Sequence, residues 1–462
     1  MQFISERTLF MDNISKTIDP KIRLIVTILL LFSGFVSLAS QTMMITALPV
    51  IEHEMNVSLT LVQWLTTGYT LMVGVITPLS SNLYEKFKKR SIFLATIAIF
   101  ILGTLIGCFA TDFWLLLLAR LVQACASGIL MSFQMTTMIS IYPIKKRGTI
   151  LGMSGLVIAF GPAIGPTLSG LIVNTLGWRY IFILVLPMML LVWLIGFFAF
   201  PNFSEPKDIK IDFISVGLSL LGSGLTLASL TFFQTSALQA WIMLVLGLAI
   251  LFIFVKRQLR LKQPMLKVQL VKNRSFRLMT LVGICAFMVL LGTEQMLPIF
   301  TQNVLHLNSM VSGMILLPGA IANALSAALV GRLYDKHGPK YLIISGGILM
   351  LIAAIPFVMI SETTPVWLLT VAYMLRMIGN ALVFSPAMSE AFVDVLPDEV
   401  SHATALNNSL RQAFGASSIT ILIVLSNIPA TFTAGMRLSM WVTVGLVLLM
   451  LTCFGLYLRK DA

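Results

Sequence analysis

Gly331-Arg332-Leu333-Tyr334-Asp335-Lys336-His337-Gly338-Pro339-Lys340 repeats a stretch found 250 positions earlier, Ser81-Asn82-Leu83-Tyr84-Glu85-Lys86-Phe87-Lys88-Lys89-Arg90. Both have Leu-Tyr, then an acid, then a lysine, and both end on a basic residue. Each follows the second apolar run of a block of six. A second echo, Arg120-Leu121-Val122-Gln123 against Arg376-Met377-Ile378-Gly379, falls inside the fourth run of each block. One basic turn alone would be an ordinary anchor at a membrane surface. Two copies at matching places indicate a duplicated architecture.

The rest of the chain fits that reading. Of 462 residues, 58% are hydrophobic and 11% charged, against about 25% charged in a soluble domain, so lipid must solvate most of the surface. A spanning helix needs roughly 20 apolar residues. Runs of that kind lie near 22–49, 59–82, 91–110, 113–142, 148–174 and 178–200, then 211–233 and 238–256. Six more lie near 276–303, 309–333, 341–360, 364–387, 402–427 and 436–458. The expected fold is an all-α membrane protein with 14 transmembrane helices arranged 6 + 2 + 6. Its parts are an N-terminal tail (1–21), a six-helix bundle (22–200), an extra helical pair with a basic loop (201–275), a second bundle (276–458) and a short C-terminus (459–462).

Lys and Arg accumulate on the cytoplasmic side of membrane proteins. Here 26 of 31 fall in segments on the side of the N-terminus, so both termini are expected in the cytoplasm. The net charge of +13 is spread over short turns, which argues against nucleic acid as a partner. Cys108, Cys125, Cys285 and Cys453 sit singly within apolar runs, so no metal site is expected. No cleavable leader is expected, and Met11 competes with Met1 as the start. There is no HExxH, GxSxG or phosphate-binding loop to suggest an enzyme or an ATP-driven pump.

At these residues the chain resembles the major facilitator superfamily, and within it the fourteen-helix drug:proton antiporters. The repeated loops are similar to the family's signature after the second helix, although Ser81 and Lys88 stand where glycines are usual and Pro339 replaces a basic residue. Arg120-x-x-Gln123 resembles its fourth-helix motif. Gly152, Gly161-Pro162 and Gly165-Pro166 resemble the fifth-helix antiporter motif, with Gly170 beyond. Trp64-x4-Tyr69, Gly177-Trp178-Arg179-Tyr180 and Asp212-x4-Gly217 are similar to further features of that branch. The resemblance implies a major facilitator fold in a bacterial cytoplasmic membrane, working as a monomer without a cofactor. It also implies export of small hydrophobic or cationic solutes in exchange for protons.

Several residues then carry expectations. Glu85, Lys86 and Arg90, with Arg332, Asp335 and Lys336, are candidate gating groups, because a charged cluster at a helix end can bias a two-state rocking motion. Ionisable groups at membrane depth are costly and default to functional readings. Arg120, Arg376 and Glu294 are therefore the proton-coupling candidates. Glu294 reads either as proton carrier or substrate contact, or as the structural partner of an arginine. Gln41, Trp64, Tyr69 and Gln123 are cavity candidates. Related antiporters often carry an acid in the first helix where this chain has Ser40, which weakens the expectation of dicationic drugs. Dedicated export of one metabolite or lipid precursor, and a non-transporting membrane sensor, remain as alternatives.

Overall fold

The computed structural model describes residues 19–142, 161, 164–202, 212–232, 236–261, 264–395 and 399–459. They form the helices α1 (Pro20–Met55), α2 (Leu59–Val62), α3 (Trp64–Ile76), α4 (Leu79–Lys86), α5 (Lys89–Cys108), α6 (Phe113–Ile141), α7 (164–175) and α8 (Arg179–Ala199). The chain continues with α9 (Phe213–Phe232), α10 (Ala237–Arg260), α11 (Arg274–Asn303), α12 (Ser309–His337), α13 (Pro339–Val358), α14 (Val366–Ala391), α15 (Val400–Ser426) and α16 (Phe432–Leu458). A 3-10 turn at Val268–Lys272 precedes α11. Among the described residues there is no strand, and 13 helical stretches are long and apolar enough to cross a membrane. The fifth apolar run is represented by α7.

Backbone groups in lipid must be satisfied internally, which is why the spans are helices. Their ends are capped where the chain turns. Asp112 accepts from the amides of Trp114 and Leu115 at the start of α6, and Asn308 from that of Val311 at the start of α12. The second run is less regular than its hydropathy suggests, for it breaks at Gln63 and again at Pro78 into α2, α3 and α4.

The duplication has a structural counterpart. The tyrosine at the fourth place of each repeated loop reaches the end of the fourth helix of its own half. Tyr84 Oη pairs with Ser140 Oγ on α6 (3.3 Å), and Tyr334 Oη donates to Glu390 Oε1 on α14 (2.6 Å). The loops differ at their eighth place. Gly338 takes the left-handed region (φ 69°), where a Cβ is disfavoured, whereas Lys88 is extended (φ −60°, ψ 135°). The first loop therefore needs no glycine there.

Hydrogen bonds fix the relative placement of the ends. Asn303 Nδ2 donates to Glu52 Oε2 (3.4 Å), so the far ends of α1 and α11 adjoin. Arg274 donates to the Leu456 carbonyl (3.0 Å), so the start of α11 adjoins the end of α16. The start of α1 and the end of α16 thus share one face, called here the terminal face. At the opposite face the halves are sealed. Gln302 Nε2 donates to the Thr46 carbonyl (3.1 Å) and Thr167 Oγ1 to the Gly313 carbonyl (3.0 Å). A Cβ on Gly170 would lie 2.3 Å from the Ser309 carbonyl oxygen, and one on Gly313 2.5 Å from that of Pro166. Only glycine permits such backbone contact.

The extra pair, α9 and α10, packs together, and α9 lies against α3 and α15, where the halves meet. Leu71, Val75, Leu227 and Ala416 form a buried cluster at that junction. Asp212 accepts two hydrogen bonds from Arg257 (3.1 and 2.9 Å) and one from Ser215 Oγ (2.5 Å), which ties the near ends of the pair.

Candidate functional site

Between the halves lies a cavity of about 400 Å³. The first half contributes Leu38, Gln41 and Thr42 from α1 and Met131 from α6, all uncharged. The second half contributes both charged groups, Glu294 on α11 and Arg411 on α15. Apolar walls come from Phe287, Leu290, Met377 and Phe384, and polar groups from Asn323, Tyr373, Asn380 and Gln412. The lining runs from Glu294 and Tyr373 at mid-depth to Met388 and Ser389, near the terminal-face end of α14.

Glu294 sits in α11 between apolar turns and is 4% exposed. Among the described residues its carboxylate has no hydrogen bond or ion pair. Tyr373 lies within electrostatic reach of both Glu294 and Arg376. An acid held alone in such a cavity can accept or give up a proton without breaking a structural tie.

The other two coupling candidates lie elsewhere. Arg120 is fully buried and binds the carbonyls of Leu65 (3.3 Å), Ser40 (3.2 Å) and Gln41 (3.2 Å) and Gln123 Oε1 (2.9 Å). Its guanidinium also lies 4.1 Å from the centre of the Tyr69 ring. It ties α1, α3 and α6 together. Gln123 passes this contact on to Thr104 (2.9 Å). Tyr69 Oη pairs with Ser127 Oγ (2.5 Å), and Trp64 packs against the buried cluster of Leu71, Val75, Leu227 and Ala416 where the halves and the extra pair meet. Of the four cavity candidates, Gln41 lines the cavity. Arg376 points toward α16, where it meets Thr443 Oγ1 (2.5 Å) and Met440 Sδ (3.9 Å), and among the described residues its buried Nε has no partner.

Of the gating candidates, the side chains of Glu85, Arg332 and Asp335 lie outside the described residues. Lys86 is near the Phe87 ring (5.9 Å), and Lys336 is exposed. Arg90 donates to the Phe197 carbonyl at the end of α8. In the fifth-helix motif, Gly152 and Pro162 are outside the described residues. Gly165 abuts α1, where a Cβ would lie 2.2 Å from Thr42 Oγ1, and Pro166 lies at the seal. The Trp178-Arg179 pair holds Glu54 at the end of α1, at 2.8 and 2.6 Å.

Two residues with evident roles escaped the sequence reading. Arg411 lies in the cavity over the rings of Phe287 and Phe384, 4.9 Å from each centre. Its position in an apolar run was the available signal. Glu390 is a second buried carboxylate, because α14 extends beyond the apolar run to Ala391. It accepts from Tyr334 and from Tyr457 (2.5 Å), so it is structurally committed where Glu294 has no bond among the described residues.

Residues 30–420 match the family model described as the Major Facilitator Superfamily. The chain is 37% identical over 420 residues to the "Uncharacterized MFS-type transporter YcnB" of Bacillus subtilis (strain 168), covering 90% of this chain and 89% of that one. It is 35% identical over 407 residues to the "Lincomycin resistance protein LmrB" of the same organism, covering 86% and 84%. Among solved structures, a POT family transporter in complex with a thioalcohol-conjugated peptide superposes with a TM-score of 0.71 at 16% identity, covering 94% of this chain and 96% of that one. That likeness shows the fold alone. With spans, duplicated halves and a central cavity in agreement, the chain belongs to the major facilitator superfamily, as a multi-pass cell-membrane transporter and not an enzyme.

Proposed function

We propose that this transporter exports hydrophobic compounds in exchange for protons by alternating access, with Glu294 carrying the proton. The observation that carries this reading is a buried carboxylate that lines the cavity between the halves and has no structural partner among the described residues. Relatives at 35% identity named for lincomycin resistance support the export of drug-like compounds. The Lys and Arg bias supports a cytoplasmic terminal face. The seal at the opposite face then makes this conformation the one that loads from inside. Small residues in α7 and α12 let the halves close on that seal.

In this cycle a cytoplasmic compound binds as Glu294 gives up its proton inward. The halves rock, and reprotonation from outside releases the compound. The test is Glu294→Gln, assayed in everted vesicles for proton-driven efflux of lincomycin and ethidium at matched expression. Efflux is expected to fall to the level of empty vesicles, with Glu294→Asp retaining part of it. Undiminished proton-driven efflux by Glu294→Gln would remove Glu294 as the carrier.

A further inference from the structure

Glu294 accounts for one charge in the cavity, and Arg411 is the other. Its side chain is more than nine-tenths buried, yet no ion pair joins it to a carboxylate among the described residues and its Nε has no hydrogen-bond partner. Arg120 shows what a buried guanidinium in this fold looks like when its role is structural, with bonds to three backbone carbonyls and an amide oxygen. Arg411 instead rests on two aromatic rings and borders open volume. A guanidinium over a ring keeps its N–H donors in its own plane, free to meet a planar acceptor. Glu294 is not placed to be that acceptor. It lies seven residues beyond Phe287 on α11, about 10 Å along the axis. The cavity that Arg411 borders has Phe287, Phe384, Leu290 and Met388 among its walls, with Ser385, Ser389 and Gln412 beside them.

We propose that Arg411, backed by Phe287 and Phe384, is a substrate subsite that binds the carboxylate of an aromatic or otherwise apolar acid. The proposal rests on transport through this cavity and specifies its cargo. The guanidinium fork takes the carboxylate bidentately, the two rings cover the flat body beside it, and Glu294 is left for the proton. A cavity with this cation in its wall favours amphiphilic acids over dications.

The test is binding to purified protein in detergent, followed by quenching of intrinsic tryptophan fluorescence. The probes are 2-naphthoate, 9-anthroate and 1-pyrenecarboxylate, each beside its methyl ester. The wild type is expected to bind at least one acid roughly tenfold or more tightly than its ester, as one charge-assisted bidentate contact implies. Arg411→Gln should lose that preference while keeping the affinity for the ester, and Arg411→Lys should keep only part of it. The retained ester affinity shows that the variant is folded. No preference for any acid in the wild type, or equal loss of acid and ester in both variants, overturns the subsite. Proton flux driven by the same acids in proteoliposomes is read separately. Its absence with the binding preference intact removes proton exchange and leaves the subsite standing.

Discussion

At the scale of single residues, the two arginines of the repeated fourth-helix motif have diverged in use. Arg120 satisfies groups on three helices, so Arg120→Leu strands polar atoms in the core of the first half. A loss on the order of 3 kcal/mol is expected, seen as a lower thermal midpoint and reduced monodisperse yield in detergent. Arg376 has a hydroxyl, a thioether and an unpaired Nε for company. Replacing such a weakly paired buried charge with a hydrophobe is often neutral, so Arg376→Leu should stay within about 1 kcal/mol of wild type by the same measurement. An equal loss in both variants would show that their different bonding does not matter. Glu294 stood out in the sequence because an acid between apolar turns is costly at membrane depth, although the letters left open a structural pairing with an arginine. Arg411 was as visible in the letters, but its distinction from Arg120 and Arg376 is a matter of where the side chain points. Periodicity carries no information about that when every face of a helix is apolar.

At the scale of elements, the all-helical membrane fold could be read directly, since spans rest on run length. Breaks within a run were harder. Hydropathy is indifferent to the interruptions at Gln63 and Pro78, which depend on backbone geometry rather than on polarity. The seal was half legible, as glycines and prolines in the fifth run suggested close packing without naming the partner. Gly161 and Gly165 pack on α1 and Gly170 on α12, and across the seal Gly313 of α12 is the most direct place to disturb the contact. Gly313→Leu should wedge α7 from α12 and favour the form open at the opposite face. In a background without native cysteines, Gln41→Cys should then react several-fold faster with an impermeant maleimide added from outside. An unchanged rate would mean that the glycine contact does not hold the seal.

At the scale of the whole molecule, alternating access requires the seal to part in every cycle. Glu52 and Asn303 face each other across it. A Glu52→Cys, Asn303→Cys pair, oxidised in membranes, is therefore expected to stop efflux, and reduction should restore it. Continued efflux with the link in place would rule out rocking about this seam. The uneven furnishing of the cavity has a further consequence, one for descent rather than mechanism. Both charges and most of the aromatic wall belong to the second half, while the first supplies a neutral face stiffened by Arg120. A lineage can therefore change its cargo through substitutions on α11, α14 and α15 and leave the first half untouched. Among relatives of this chain that carry different compounds, sequence divergence around the cavity should be concentrated in the second half.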